Sequence, residues 1–283
     1  MIIWIASYPR SGNTWVRSFL STYLYAEKNS SVFDNIKKII NFPNISHFKG
    51  IFEINEFTKE EQKDKKKKDQ KKFEISKHWL TAQKKINLIN EITFLKTHNF
   101  GGSLEGNDFT NSENTLAVIY LVRDPRSVAV SNAHHNNISY DQSVKDLFDE
   151  KIFATNEGNL LEFRSSWKVN YLSWKKRSYP KLIIRYEDLI SDQYQNFKKI
   201  LNFINDFKKI NIDELKIKET IKLCKLENLS KLEEQLGFEE KLKKEKKFFR
   251  KGLTDEWKAE LNKDQIKKIE NAFFEEMKEL KYL

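Results

Sequence analysis

The chain has 283 residues, 39% of them hydrophobic and 33% charged, enough for one large α/β domain with a buried core or for two small ones. Its formal net charge of +10 suits an anionic ligand such as a nucleotide, nucleic acid or acidic glycan, although much of the lysine reads as solvated surface. The single cysteine, Cys224, excludes an intrachain disulfide, and no apolar run is long enough to predict a transmembrane helix.

Ile2, Ile3, Trp4 and Ile5 form an apolar run without alternation, which predicts a strand buried on both faces, as in a parallel sheet. No basic region precedes it, so it reads as a first strand and not as a signal peptide, and a cytoplasmic protein is expected. A polar loop over residues 7–13 follows. Trp15, Val16, Phe19, Leu20 and Leu24 then recur at helical spacing. Residues 55–85, with Lys65, Lys66, Lys67 and Lys68, carry few apolar side chains and read as an exposed lysine-rich excursion within one domain spanning residues 1–283. A second strand is predicted over residues 92–95, running into Lys96, Thr97 and His98. The strongest strand covers residues 116–122 and ends at Arg123, Asp124 and Pro125, with a helix from about Arg126. A fourth covers residues 182–184, followed by Tyr186, Glu187, Asp188 and another helix. Ile266, Ile269, Phe273, Met277 and Leu280 mark the apolar face of a C-terminal helix, and Cys224 reads as a small buried hydrophobe. Buried strands alternating with helices predict an α/β fold with a parallel sheet.

The loop between the first strand and first helix carries chemistry. A helix N-terminus offers unpaired N–H groups and a positive dipole end. Gly12 lets the backbone approach an anion, Ser11, Asn13 and Thr14 add donors, and Arg10 adds charge. The Walker A pattern is absent. The plainer reading of the same residues is a capped helix start, with Asn13 or Thr14 as the cap. His98 lies just past a strand end, where α/β sheets place ligands, and Lys96 shares its face if the strand persists. His134 and His135 are adjacent, with no cysteine or carboxylate at ligand spacing, so no metal site is expected. Glu187 and Asp188 suit the first turn of the next helix, Arg126 suits solvent or an acidic partner, and Trp167 and Trp174 suit a core or pocket wall.

Residues Ser7, Tyr8, Pro9, Arg10, Ser11, Gly12, Asn13, Thr14 and Trp15 resemble the 5′-phosphosulfate-binding loop of the family of sulfotransferases that use 3′-phosphoadenosine-5′-phosphosulfate (PAPS). That family usually has lysine where this chain has Arg10. Lys96, Thr97 and His98 resemble its catalytic Lys-Thr-His, and residues 123–131 its 3′-phosphate-binding strand and helix. Arg185, Tyr186, Glu187 and Asp188 resemble its Tyr-Glu-Asp element, and Phe249, Arg250, Lys251 and Gly252 its C-terminal Arg-Lys-Gly loop. Downstream the family continues Gly-Asp-Trp-Lys; here Asp255 and Glu256 depart from it and Trp257 and Lys258 match.

The resemblance implies a single domain with a central, mostly parallel sheet flanked by helices, related to P-loop kinases. It implies PAPS as co-substrate, no metal, and a hydroxyl or amine acceptor. It makes His98 the general base, with Arg10 and Lys96 stabilising charge on the transferring group. It puts Arg123 and Ser131 on the nucleotide's 3′-phosphate, with a second grip from Arg250, Lys251 and Gly252, and Trp15 and Tyr186 against the adenine. The acceptor, whether a glycan, a lipid headgroup, a phenol or a small alcohol, would meet residues 30–90 and 135–165. A P-loop nucleotide kinase would need a Gly-Lys-Ser or Gly-Lys-Thr and a magnesium-binding acid. A non-catalytic nucleic-acid binder would need only the lysine face.

Overall fold

The computed structural model describes residues 1–52, 73–88, 91–151, 153–156, 160–241 and 247–283. Strands β1 (Ile2–Ser7), β2 (Ile40–Asn41), β3 (Thr93–Thr97), β4 (Ser103–Leu104), β5 (Asn107–Asp108), β6 (Thr115–Val122), β7 (Phe153–Asn156), β8 (Leu160–Phe163) and β9 (Lys181–Arg185) follow one another along the chain. Five of them form one sheet in the order β2-β3-β1-β6-β9. Strand β1 pairs with β3 in parallel, Ile2 opposite Thr93 and Ala6 opposite Thr97. Every residue of β1 is buried, as a run without alternation requires. The fold is α/β with a central parallel sheet and helices between its strands, as the sequence predicts. The pairs β4–β5 and β7–β8 are antiparallel ribbons, too short for a sequence pattern to announce.

Two compact units divide the chain. The first comprises Met1–Tyr8, Asn41–Tyr120 and Glu150–Lys181. Its core is aromatic: Trp4 lies 5.3 Å from Phe109 and 5.6 Å from Phe42 between ring centroids, and Phe109 also meets Trp79 at 5.3 Å and Trp174 at 5.8 Å. Trp167 and Trp174 are both buried, on the helix Trp167–Lys175. Of the lysine-rich stretch expected to be an exposed excursion, residues 55–72 lie outside the described residues. Residues 73–85 lead into the helix Trp79–Asn87, which buries Trp79, Ala82 and Gln83. Gln83 donates to the Phe109 carbonyl at 2.6 Å and accepts from Thr110 at 2.6 Å, so this part is built into the core.

The second unit comprises Pro9–Ile40, Leu121–Asp149 and Leu182–Leu283. The helix Asn13–Tyr25 buries Val16, Phe19, Leu20 and Tyr23, and Phe19 stacks on Phe197 with centroids 3.9 Å apart. The helix Pro125–Asn136 begins with proline at its first position, and Asp124 caps it by accepting from the Arg126 N–H at 2.9 Å. The C-terminal apolar stripe holds, with Ile269, Phe273, Met277 and Leu280 buried, but as two helices, Lys263–Ala272 and Phe274–Glu279, that meet at Phe273. Cys224 is buried against Thr22, and burial pushes its thiol up to about 12.

Arg126 pairs with acids and is buried, not solvent-facing. It meets Asp124 at 2.6 Å, pairs with Glu270, donates to the Tyr282 carbonyl at 2.8 Å and lies 3.8 Å over the Trp257 ring. Arg126→Ala strands two carboxylates beside the core. We expect it to destabilise the fold by about 3 kcal/mol, seen as a lower urea midpoint at unchanged slope. A midpoint shift worth under about 1 kcal/mol would show the pairs to be peripheral.

Candidate active-site residues

In the first unit, β1 and β3 run parallel, so both end at the same edge of the sheet, where Ser7 and His98 follow Ala6 and Thr97. His98 Nδ1 lies 3.0 Å from the Ser7 carbonyl oxygen and 3.0 Å from Ser7 Oγ. A carbonyl only accepts, so the ring proton sits on Nδ1 and donates to it. Nε2 then carries the lone pair. Burial, with Lys96 and Arg164 nearby and only partly offset by Glu162, lowers the ring from 6.5 to about 3, so the imidazole is neutral. Asn170 holds the backbone here, donating to the His98 carbonyl at 3.0 Å and the Arg164 carbonyl at 2.8 Å, while Tyr120 donates to Asn170 Oδ1 at 2.8 Å.

Lys96 is buried, not an ordinary surface lysine. Its Nζ lies 3.3 Å from Glu162 Oε1, and the same oxygen accepts the His98 backbone N–H at 3.1 Å. Arg164 approaches Glu162 Oε2 at 3.6 Å. Burial alone would raise the Glu162 carboxyl, but Lys96, His98 and Arg164 outweigh it and bring it to about 2.

In the second unit, Arg10 and Gly12 hold positive φ angles of 66° and 90°. Gly12 is required on two counts: the left-handed backbone, and a side chain that would meet Tyr186 Cδ2 at 2.6 Å. The helix starting at Asn13 has no side-chain cap, so neither Asn13 nor Thr14 plays the capping role of the plainer reading. The Ser11 hydroxyl is buried with no hydrogen-bond partner among the described residues. Thr14 donates to Glu240 Oε2 at 3.2 Å, and Arg17 pairs with the same carboxylate.

Arg10 and Ser131 meet directly, Nε donating to Oγ at 3.0 Å. Arg123 donates to the Arg10 carbonyl at 3.0 Å and the Leu253 carbonyl at 2.7 Å, and its guanidinium lies 4.4 Å over the Tyr186 ring. The Tyr186 hydroxyl donates to the Gly252 carbonyl at 3.0 Å. Trp15 meets Tyr186 edge-on at 6.1 Å and donates to the Cys224 carbonyl at 2.9 Å. The predicted residues Arg10, Gly12, Trp15, Arg123, Ser131, Tyr186 and Gly252 therefore form one connected cluster. Arg250 and Lys251 precede Gly252, and both pair with Glu256, at 2.6 Å and 3.0 Å. Arg250 first, with Lys251, holds the Glu256 carboxyl down at about 2 against the opposing effect of burial. Glu187, in the first turn of Tyr186–Ser191 as expected, accepts from the Asp124 N–H at 3.1 Å.

Sequence spacing shows no carboxylate near His134, but the structure supplies Glu256 and Glu260, ligand atoms all within 4.8 Å. Glu256 is held by Arg250 and Lys251, and Glu260 accepts from Tyr140 at 2.6 Å, so both already have donors. The residues that sequence reading missed are Glu162, Asn170 and Glu240. Only Glu162 left a local signal, a lone acid among Leu160, Leu161 and Phe163. Among the described residues no helix is long and apolar enough to cross a membrane.

A glycine-led, uncapped helix after the first strand of a parallel sheet is an α/β arrangement whose free N–H groups suit an anion. The sulfotransferase-domain profile matches residues 2–281, and the chain belongs to that family. It is 24% identical over 279 residues to cytosolic sulfotransferase 1 of Arabidopsis thaliana, covering 97% of this chain and 78% of the relative. It is also 24% identical to the luciferin sulfotransferase of Photinus pyralis, covering 94% and 69%. The fold is similar to that of a mouse sulfotransferase complexed with PAP, with TM-score 0.57, 18% identity and 97% and 83% of the two chains covered. It is similar too to retinol dehydratase in complex with androsterone and the inactive cofactor PAP, with TM-score 0.54, 18% identity and coverage of 98% and 80%.

Proposed function

We propose that the protein transfers a sulfuryl group from PAPS to a hydroxyl or amine of its acceptor, within one domain spanning residues 1–283. The observation that carries this is the uncapped helix start behind Gly12, with the buried Ser11 hydroxyl unpartnered and Arg10, Arg123 and Ser131 linked beside it. These groups fit a phosphate or sulfate by charge and by donor supply. The PAP in related structures supports the same nucleotide. The family name of the plant relatives supports a cytoplasmic location.

In this reading His98 Nε2 takes the proton of the acceptor O–H or N–H. The acceptor atom forms its bond to sulfur as the bond from sulfur to the bridging oxygen of the 5′-phosphosulfate breaks. That oxygen keeps the electron pair, and adenosine 3′,5′-bisphosphate (PAP) leaves. Arg10, Lys96 and the helix N–H groups offset the charge that develops. Ser11, Asn13 and Thr14 line the 5′ side, and Arg123, Ser131, Arg250, Lys251 and Gly252 serve the 3′-phosphate, with Trp15 and Tyr186 toward the adenine. The leaving group is already a stabilised anion, so the reaction as drawn calls for no metal. Arginine cannot readily give up a proton, so Arg10 acts by charge alone.

The test is isothermal calorimetry with PAP and AMP. PAP binds tightly in this reading. AMP, lacking the 3′-phosphate and its charge-assisted hydrogen bonds, binds weaker by roughly 10²-fold, about 3 kcal/mol. Equal affinities would remove the assignment of the 3′-phosphate residues.

A further inference from the structure

We infer that Glu162 is a positioning residue that ties the Lys96 ammonium and the His98 backbone to one carboxylate oxygen, so that base and cation act as a unit. The inference rests on the sulfotransferase reading, which gives His98 and Lys96 their roles.

One oxygen does both tasks: Oε1 accepts from Lys96 Nζ at 3.3 Å and from the His98 N–H at 3.1 Å. The side chains of Glu162 and Lys96 are only 1% and 5% exposed, so both ions are held out of bulk solvent and depend on buried partners. The strand end that carries Glu162 is itself pinned to the segment after His98. The Phe163 N–H donates to Asn99 Oδ1 at 2.6 Å, and the Phe100 N–H donates to the Phe163 carbonyl at 2.8 Å. Asn170 adds a clasp on the far side, holding the His98 and Arg164 carbonyls together. The carboxylate is therefore placed by the backbone on both sides and does not drift to Lys96 by chance. Its other oxygen faces Arg164 at 3.6 Å. With donors around both oxygens and its carboxyl held low, Glu162 is a poor proton acceptor and is not a second base.

The charge balance gives the device its use. Lys96 and Arg164 carry two positive charges against the single negative charge of Glu162, beside a neutral imidazole. One excess cation is thus kept where negative charge develops, with its donors already oriented. Without the carboxylate, the buried Lys96 ammonium and the partly exposed Arg164 guanidinium would lose the anion that pairs with both.

The test is a double-mutant cycle. Glu162→Gln keeps the shape and an oxygen that can accept the His98 N–H, and removes only the charge. Lys96→Met removes the cation, and the double variant removes both. Turnover is read with PAPS and p-nitrophenol, and PAP affinity by calorimetry. Glu162→Gln should lower kcat by about 10²-fold while leaving KM for PAPS and PAP affinity within a few fold. The double variant should be no slower than Lys96→Met, because the two charges act as one unit. Glu162→Asp, which keeps the charge, should recover part of kcat. Multiplying penalties in the double variant, a kcat of Glu162→Gln equal to wild type, or a loss confined to KM would each overturn the inference. If Glu162→Gln does not fold, the neutral double variant still decides, since removing both members of a buried pair is tolerated better than removing one. If wild type binds no PAP and turns over no phenol, the sulfotransferase reading fails instead. The His98 amide proton resonance then still reads the contact, shifting upfield in Glu162→Gln if the carboxylate holds it and staying put if it does not.

Discussion

His98→Ala is expected to lower turnover by roughly 10²–10⁴-fold while PAP affinity stays within a few fold. The base acts on the acceptor, so its removal touches the chemical step and not the nucleotide. The wild-type ring is set for the task by its contact with Ser7, which puts the proton on Nδ1 and leaves Nε2 bare. The ring is also shifted down to about 3, and the sign of that shift matters. A base is active when unprotonated, and a lowered value means that it picks up a proton only at lower pH. Wild-type turnover should therefore hold as the solution is acidified to about pH 5, where an unshifted imidazole at about 6.5 would already be mostly protonated. Stability runs the opposite way: the unfolded chain binds this proton first, so acidification below 6.5 favours unfolding until the folded ring titrates. A pH profile of kcat with p-nitrophenol checks the first statement. Near wild-type turnover in His98→Ala would mean another base, and Glu162, held near 2 by its cations, would be a poor substitute.

Gly12→Ala is expected to weaken PAP binding by roughly 10²-fold or more. At φ 90° an alanine is strained by about 1–3 kcal/mol. Its methyl would also sit 2.6 Å from Tyr186 Cδ2, so the ring or the loop must move. Either movement propagates. Tyr186 is tied to Gly252 through its hydroxyl and to Arg123 through its face, and Arg123 in turn holds the Arg10 carbonyl. One methyl therefore disturbs the N–H cradle and the cationic cluster together. Calorimetry of the variant measures the loss, and near wild-type affinity would show that the loop does not hold the nucleotide.

The strands of the central sheet were readable because β1 and β6 are apolar runs without alternation and β3 and β9 hold short apolar cores, and the helix after β1 because its apolar residues recur at helical spacing. The Gly12 turn that starts this helix was legible between them, but the side-chain cap offered by Asn13 or Thr14 is not formed. What stayed hidden depends on contacts made at long range. Glu162 meets Lys96 and His98 from 66 and 64 residues away, and Glu240 meets Arg17 from 223. No local window contains both partners, so Glu240 looks like one more surface charge, and the apolar setting of Glu162 does not say which groups it meets. The end of the expected excursion, residues 73–85, misled for a related reason. Trp79 and Ala82 are too few to outweigh the charges before them, although the core they join is supplied by Phe109 and its neighbours. The break at Phe273 was invisible because the apolar stripe continues across it.

Cys224 gives the protein a built-in clock. It is the only sulfhydryl in the chain, it is buried against Thr22 of the helix Asn13–Tyr25, and its thiol is pushed up to about 12. Alkylating reagents attack the thiolate, so the closed molecule offers them almost nothing. The carbonyl of the same residue holds the indole of Trp15, at the start of the helix that leads from Gly12. Bringing the sulfur to solvent means parting that helix from the segment ending at Cys224. At maleimide concentrations high enough for alkylation to outpace reclosing, the rate at which the chain is consumed counts how often that seam opens.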